Sequence, residues 1–248
     1  MVENNFSYFD SHCHISELSE VKLRKVINKK AIFCLNIEYR DVDHFIELAG
    51  NLNLEKNIRV SLSAHPWSEA PFILNDFLDA YYRLINCPEI TLVAIGEVGI
   101  DRLKGKPISE QKTVFKTLSD FANQNKLPII IHCVKSFEDI LQSLSEVGFS
   151  QACMFHDFNG NEQMISRLIS HGYYIGFGKS LYRPNSKIYK SIQNIPLCNV
   201  LLETDDLEIS IEGIYQKFAK CREVPISELK TQVLKNFVNF FEVPSYKA

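Results

Sequence analysis

Six residues of metal-ligand type stand at or just past the ends of short apolar runs: His12, His14, Glu97, His132, His156 and Asp205. His12 and His14 are two apart. Side chains at i and i+2 of a strand point to one face, so both imidazoles can reach one ion, with Asp10 in phase. Imidazole with carboxylate suits zinc, manganese or iron, and carboxylate-rich sites also accept magnesium. A Glu across the rim, Glu97, can bridge two ions with its two oxygens. Metals about 3.5–4 Å apart would then hold a water between them and lower its pKa from about 15.7 toward 7. The expectation is two divalent metal ions, Mg, Mn or Zn, and no side-chain nucleophile. Each residue alone has a plainer role: a strand-end histidine can hydrogen-bond a loop, and Asp205 beside Asp206 can cap a helix. Gathered without a metal, two carboxylates and four imidazoles would cost desolvation and gain little.

The elements that must position these residues are short β-branched runs alternating with amphipathic stretches. The runs are Tyr8–Ser11, Ala31–Ile37, Arg59–Ser63, Thr91–Glu97, Pro128–Cys133, Ala152–Phe155, Tyr173–Phe177 and Asn199–Glu203. Several lack alternation, as expected of parallel strands buried on both faces. Between them, Asp41–Leu54, Ser109–Lys126, Phe137–Val147 and Ile226–Val243 carry apolar residues at helical spacing. Ser136 followed by Asp139 reads as a capping box. Eight strand–helix repeats predict a (β/α)₈ barrel more than an open doubly wound sheet. The open sheet would want a glycine-rich first turn, and this turn reads Ser11-His12-Cys13-His14. A chain of 248 residues fits one barrel, so 1–248 is expected to be a single domain.

Placed on that scaffold, five of the seven histidines (12, 14, 65, 132 and 156) fall at strand C-terminal ends, Glu97 ends the fourth strand and Asp205 closes the eighth. Barrel enzymes build their sites at that rim. His44 and His171 fall in or beside helices and read as surface residues.

Bulk composition adds exclusions. The formal net charge is −3, without the basic excess usual in DNA binders. A nuclease stays compatible, because metals supply positive charge locally. Seven cysteines with no C-x-x-C pair indicate neither a disulfide framework nor a zinc ribbon, and most read as buried free thiols. Cys13 and Cys133 point away from the ligands and read as packing residues. No apolar run reaches membrane length and 1–10 lacks a signal-peptide core, so a cytoplasmic protein without membrane contact is expected.

The motifs resemble those of the TatD-family metal-dependent deoxyribonucleases. Phe9-Asp10-Ser11-His12-Cys13-His14 is similar to the family's opening motif, and Ala64-His65-Pro66 to its second. Gly96-Glu97-Val98-Gly99-Ile100-Asp101 is similar to its third. Ile131-His132, Phe155-His156 and Leu201-Leu202-Glu203-Thr204-Asp205 follow in order, and the resemblance runs from Phe9 to about Phe241. It implies the barrel fold, one metal on His12 and His14 with Glu97 bridging, and a second on His132 and His156. It further implies Asp205 as ligand and proton acceptor, and His65 at the substrate phosphate or leaving group. The activity implied is metal-dependent phosphodiester hydrolysis on DNA, and the expectation adopted is a nuclease acting on single-stranded DNA or DNA ends.

The sequence departs from the family pattern at three places. His156 is followed by Asp157-Phe158-Asn159-Gly160, Val134 stands where an Arg is frequent, and Asp206-Leu207-Glu208 replaces Ala-Pro-Tyr. An acidic loop beside the site would repel a phosphate backbone, which disfavours long duplex DNA. Lys135, Lys179 and Arg183 are the candidate substrate contacts, with Lys104 and Lys106 also near rim loops. Two other functions fit the same ligands: hydrolysis of a small molecule (a lactone, cyclic amide or phosphoester), and a TatD-like subunit activated by partner proteins.

Overall fold

The structure, a computed structural model, describes residues 7–15, 18–27, 30–52, 57–183, 186, 188–206 and 208–241. In chain order its elements are β1 (Tyr8–Cys13), α1 (Glu20–Ile27), β2 (Ala31–Glu38), α2 (Val42–Leu52), β3 (Ile58–Ser63), α3 (Leu74–Ile85) and β4 (Leu92–Asp101). There follow α4 (Ile108–Gln124), β5 (Ile129–Val134), α5 (Phe137–Glu146), β6 (Cys153–Phe155), α6 (Glu162–Ser170) and β7 (Tyr174–Phe177). The last are α7 (Ile188–Ser191), β8 (Val200–Leu202), α8 (Ile211–Arg222) and α9 (Ile226–Phe241). The strands make one sheet in the order β1-β2-β3-β4-β5-β6-β7-β8. A parallel bridge between Cys13 and Asp205 joins β1 to the segment after β8. The fold is the (β/α)₈ barrel that the alternation predicts. The strands are almost entirely buried, which is why they read as continuous apolar runs.

Two compact units divide the chain: residues 1–35, 55–58 and 156–248 in the first, and 36–54 and 59–155 in the second. In the first, Tyr215 of α8 donates to the Phe9 carbonyl at 3.2 Å and accepts from the Phe9 N–H at 3.2 Å. Phe9 also packs on Phe237 of α9 at 5.2 Å between ring centroids. The buried Asn236 of α9 donates to the carbonyls of Leu197 and Val200, both at 2.7 Å, and so anchors the last helix to the start of β8. In the second unit, Phe77 and Phe121 meet edge to face at 5.7 Å, tying α3 to α4.

Three local expectations are corrected. β4 does not end at Glu97 but runs on to Asp101, because Val98–Asp101 pair in parallel with Ile131–Val134 after a register shift. Ser136 does not cap α5. Its hydroxyl donates to the Ile100 carbonyl at 2.5 Å, while Asp139 pairs with Arg102 and Lys112. The burial of Ser136 against the extended end of β4 explains the exchange. All seven cysteines are free thiols, as expected, but only Cys13, Cys34 and Cys153 are buried. The expected ends of the second and last helices, Leu54 and Val243, lie outside the described residues. His44 and His171 are exposed.

Candidate metal centre

In the first unit, β1 presents His12 and His14 on one face, as their spacing requires. Their Nε2 atoms are 3.0 Å apart, with the rings perpendicular. Two nitrogens each about 2.1 Å from one ion, at angles between those of an octahedron and a tetrahedron, lie roughly 3.0–3.4 Å apart. The pair therefore has the spacing of two ligands on one metal. Asp205 Oδ1 lies 3.6 Å from His14 Nε2 and 3.9 Å from His12 Nε2. The His156 ring stands 4.9 Å from that of His12. His12, His156 and Asp205 offer ligand atoms within 4.8 Å of one another.

Backbone pairing fixes this arrangement. His14 N–H donates to the Asp205 carbonyl at 2.8 Å and Asp205 N–H to the His12 carbonyl at 3.0 Å. Asp10 is buried and belongs to neither ligand group, although its Oδ1 also accepts from the His12 N–H at 3.4 Å. Its oxygens accept from Thr204 N–H at 3.0 Å and Thr204 Oγ1 at 2.6 Å, so it ties β1 to the Asp205 segment. Burial pushes its carboxyl up to about 7 despite those bonds. Glu203, also fully buried, accepts from the Asp157 N–H at 2.5 Å and faces His156 Nδ1 at 3.6 Å. Burial raises its carboxyl pKa too.

In the second unit, Glu97 is buried. Its Oε1 lies 2.5 Å from His132 Nδ1 and 3.1 Å from His65 Nε2, and the three residues form a second potential metal-holding group. Asn36 accepts from the Glu97 N–H at 2.6 Å. Gly96 and Gly99 flank Glu97 because β5 passes against them. A Cβ on Gly96 would lie 2.5 Å from the Ile130 carbonyl oxygen, and one on Gly99 1.9 Å from that of His132. On its far nitrogen His132 meets Asp101 Oδ2 at 3.2 Å, and Trp67 Nε1 donates to the same oxygen at 2.7 Å. Burial works upward on the Asp101 pKa, but the Leu103 N–H, Trp67 and His132 outweigh it and hold the carboxyl below its ordinary value.

Lys179 and Arg183, expected to meet substrate, have acidic partners. Lys179 Nζ lies 2.9 Å from Asp205 Oδ2 and also pairs with Asp206, while Arg183 pairs with Asp157 at 2.5 Å. Lys135 is exposed just past β5, in a left-handed backbone conformation.

Four supporting residues were not singled out from the sequence: Asn36, Trp67, Asp101 and Glu203. Asp101 had a legible signal, since positions 97, 99 and 101 share one face of a strand. Asn36 and Trp67 had none, because their partners are distant in sequence.

A parallel barrel carrying histidine and carboxylate clusters at its strand ends is the architecture of a metal-dependent hydrolase. The donor sets fit divalent metals by residue type and by the 3.0 Å spacing of the two imidazole nitrogens. The model of one family, described as TatD related DNase, matches residues 9–242, and the chain belongs to that family. An Escherichia coli K12 relative named "Uncharacterized metal-dependent hydrolase YjjV" is 27% identical over 257 residues, covering 96% of this chain and 98% of the relative. The crystal structure of YjjV, a TatD homologue, superposes with a TM-score of 0.80 at 22% identity, over 96% of this chain and 99% of that one. A TatD-family hydrolase from Entamoeba histolytica gives a TM-score of 0.77 at 18% identity, over 95% and 98% of the two chains.

Proposed function

We propose that this metal-dependent hydrolase cleaves phosphodiester bonds in DNA, acting on single strands or ends. The proposed ligands are His12, His14, Glu97, His132, His156 and Asp205, which would hold two divalent ions, with Glu97 as the shared ligand. The observation that carries the reading is the convergence of His12 and His14 at 3.0 Å with the Asp205 carboxylate beside them. Bound divalent metals supply an activated water and offset the charge of the phosphate.

The chain's own residues do the rest. Asp205 is placed to accept the proton of the attacking water at Oδ1, while Lys179 holds Oδ2 and so keeps the carboxylate oriented. His65 accepts the Trp67 N–H at Nδ1 and sets Nε2 3.1 Å from Glu97 Oε1; in this reading Nε2 donates to the phosphate or to the departing oxygen once Glu97 is committed to metal. Asp101 fixes the His132 ring by taking its second nitrogen, the usual way an outer carboxylate sets the tautomer of a ligand. Lys179 and Arg183 spend charge on Asp205, Asp206 and Asp157. That leaves less cationic surface for a long phosphate backbone and favours short strands and ends over duplex DNA. Lys135 remains the exposed candidate for a phosphate contact.

The test is cleavage of end-labelled single-stranded DNA by protein stripped with chelator and repleted with Mg, Mn or Zn, with Glu97→Gln alongside. Metal-dependent cleavage that Glu97→Gln abolishes is the expected result. Equal cleavage by the variant would sink the mechanism. Turnover of a lactone or cyclic amide far above any DNA cleavage would move the substrate to the small-molecule class.

A further inference from the structure

We infer that a pocket beside His65 is a nucleobase subsite that reads amino-bearing bases through Glu38 and Tyr39. It lies wholly in the second unit, between the segment after β2, the loop after β3 and the start of α4. Its volume is about 290 Å³, enough for a base and its sugar. Ala64, Pro66, Phe72 and Val114 give it apolar walls, and His65 belongs both to this wall and to the Glu97 cluster.

Two polar atoms make it more than an apolar cleft. Glu38 and Tyr39 line the pocket; Glu38 Oε1 and the Tyr39 hydroxyl are buried and make no hydrogen bond of ordinary geometry among the described residues, with the Ser63 side chain near enough to the Glu38 carboxyl to favour its charged form. Buried polar groups are paired in the great majority of cases, so two orphans on one pocket point to a ligand that carries complementary groups. The other Glu38 oxygen is taken, accepting from the His65 N–H at 3.1 Å, which aims the carboxyl and couples it to the site histidine.

The pocket is built rather than incidental. Arg40 clamps the loop after β3, donating to Ser68 Oγ at 2.9 Å and to the Pro71 carbonyl. Gln111 Nε2 donates to the carbonyls of Asp101, Lys104 and Lys106 and so fixes the opposite lip. A preformed apolar slot with a few convergent polar atoms is how proteins hold a planar ring, and an extruded base is read by hydrogen bonds to its pairing edge. An acceptor carboxylate selects the amino groups of cytosine, adenine or guanine over the carbonyl edge of thymine. The choice of a nucleobase over another planar ring rests on the phosphodiesterase reading above.

Binding without cleavage tests it. Trp67, the single tryptophan, sits between Pro66 and Ser68 of the pocket wall and serves as the fluorescence reporter. The native protein is titrated at pH 8, where Glu38 is an acceptor carboxylate, with deoxycytidine, deoxyadenosine, thymidine and base-free 2-deoxyribose 5-phosphate. Expected are saturable binding of the amino bases at least about tenfold tighter than the base-free sugar phosphate, and loss of that binding in Val114→Phe, which fills the slot and leaves Trp67 the single tryptophan. Glu38→Gln presents an amide N–H₂ where the acceptor was, and should reverse the order of thymidine and deoxycytidine. Equal affinity for the base-free compound, no nucleoside binding, or an unchanged order in Glu38→Gln would overturn the subsite. Because no hydrolysis is read, a protein that cleaves DNA yet binds no nucleoside overturns the subsite alone. One that binds nucleosides yet cleaves no DNA overturns the nuclease reading alone.

Discussion

His132 shows how much of this site depends on residues that would never touch a metal. Its ring is held from one side by Asp101, and Asp101 is held in turn by the Trp67 indole N–H. Removing an outer carboxylate of this kind typically weakens metal binding about 10–100-fold. Asp101→Ala should therefore lower metal affinity by that factor in a chelator-competition titration, with the fold intact by circular dichroism. Unchanged affinity would mean that His132 is held by packing alone. Glu38 offers a separate test at this scale. Burial pushes its carboxyl up to about 7 from an ordinary 4.5, against the His65 N–H, which pulls it down. Between those values the folded chain keeps a proton that the unfolded chain releases, so this group makes stability fall as pH rises from about 4.5 to 7. In Glu38→Gln that component disappears. The variant should show a flatter dependence of the urea midpoint on pH, with its gain over wild type largest at pH 8, both measured in chelator. A steeper dependence in the variant would refute the assignment.

At the scale of elements, β4 and β5 set the most demanding tolerance. Gly96 and Gly99 let β5 run so close that no side chain fits, and the same closeness places His132 against Glu97. Gly99→Ala would put a methyl group 1.9 Å from the His132 carbonyl oxygen, so the strands must separate. Overpacking in a core costs about 1–3 kcal/mol, occasionally more, and here the contact is with rigid backbone. We expect a loss of at least about 2 kcal/mol in urea unfolding, together with weaker metal binding because His132 moves with its strand. A variant of native stability would show that β5 can yield. The extension of β4 to Asp101 belongs to the same account. Pairing with Ile131–Val134 carries the strand past Glu97 and so brings Asp101 to His132.

For the whole molecule, the clustered carboxylates and imidazoles make metal binding a term in stability. Glu203 and Asp10 are buried with raised pKa values in the same unit as His12, His156 and Asp205. An ion bound only by the folded chain adds about 2.7 kcal/mol at a hundredfold excess over Kd. For a chain of this size that corresponds to roughly 5–10 °C in Tm. Repletion of chelated protein should raise Tm by that order, and Glu97→Gln should reduce the gain. No change in Tm under Mg, Mn or Zn would argue against a resident ion. Among the described residues no helix is long and apolar enough to cross a membrane.

The sequence by itself determined the strands, to within one or two residues at most ends, because parallel strands buried on both faces leave uninterrupted apolar runs. It determined that His12 and His14 share a face, because that follows from the two-residue period of a strand. The family was legible in six short motifs in order. What only the tertiary structure decided were relations between residues far apart in the chain. Asp10 spends its carboxylate on Thr204, 194 residues away. Ser136 serves the Ile100 carbonyl instead of its own helix, and Lys179 and Arg183 are occupied by acids. The pocket with its two orphan oxygens was likewise invisible, since Glu38, His65 and Val114 meet only once three separate strand–helix connections are folded together. Periodicity encodes which face a residue takes within its own element. Which partner waits on that face depends on packing, and local sequence carries little record of it.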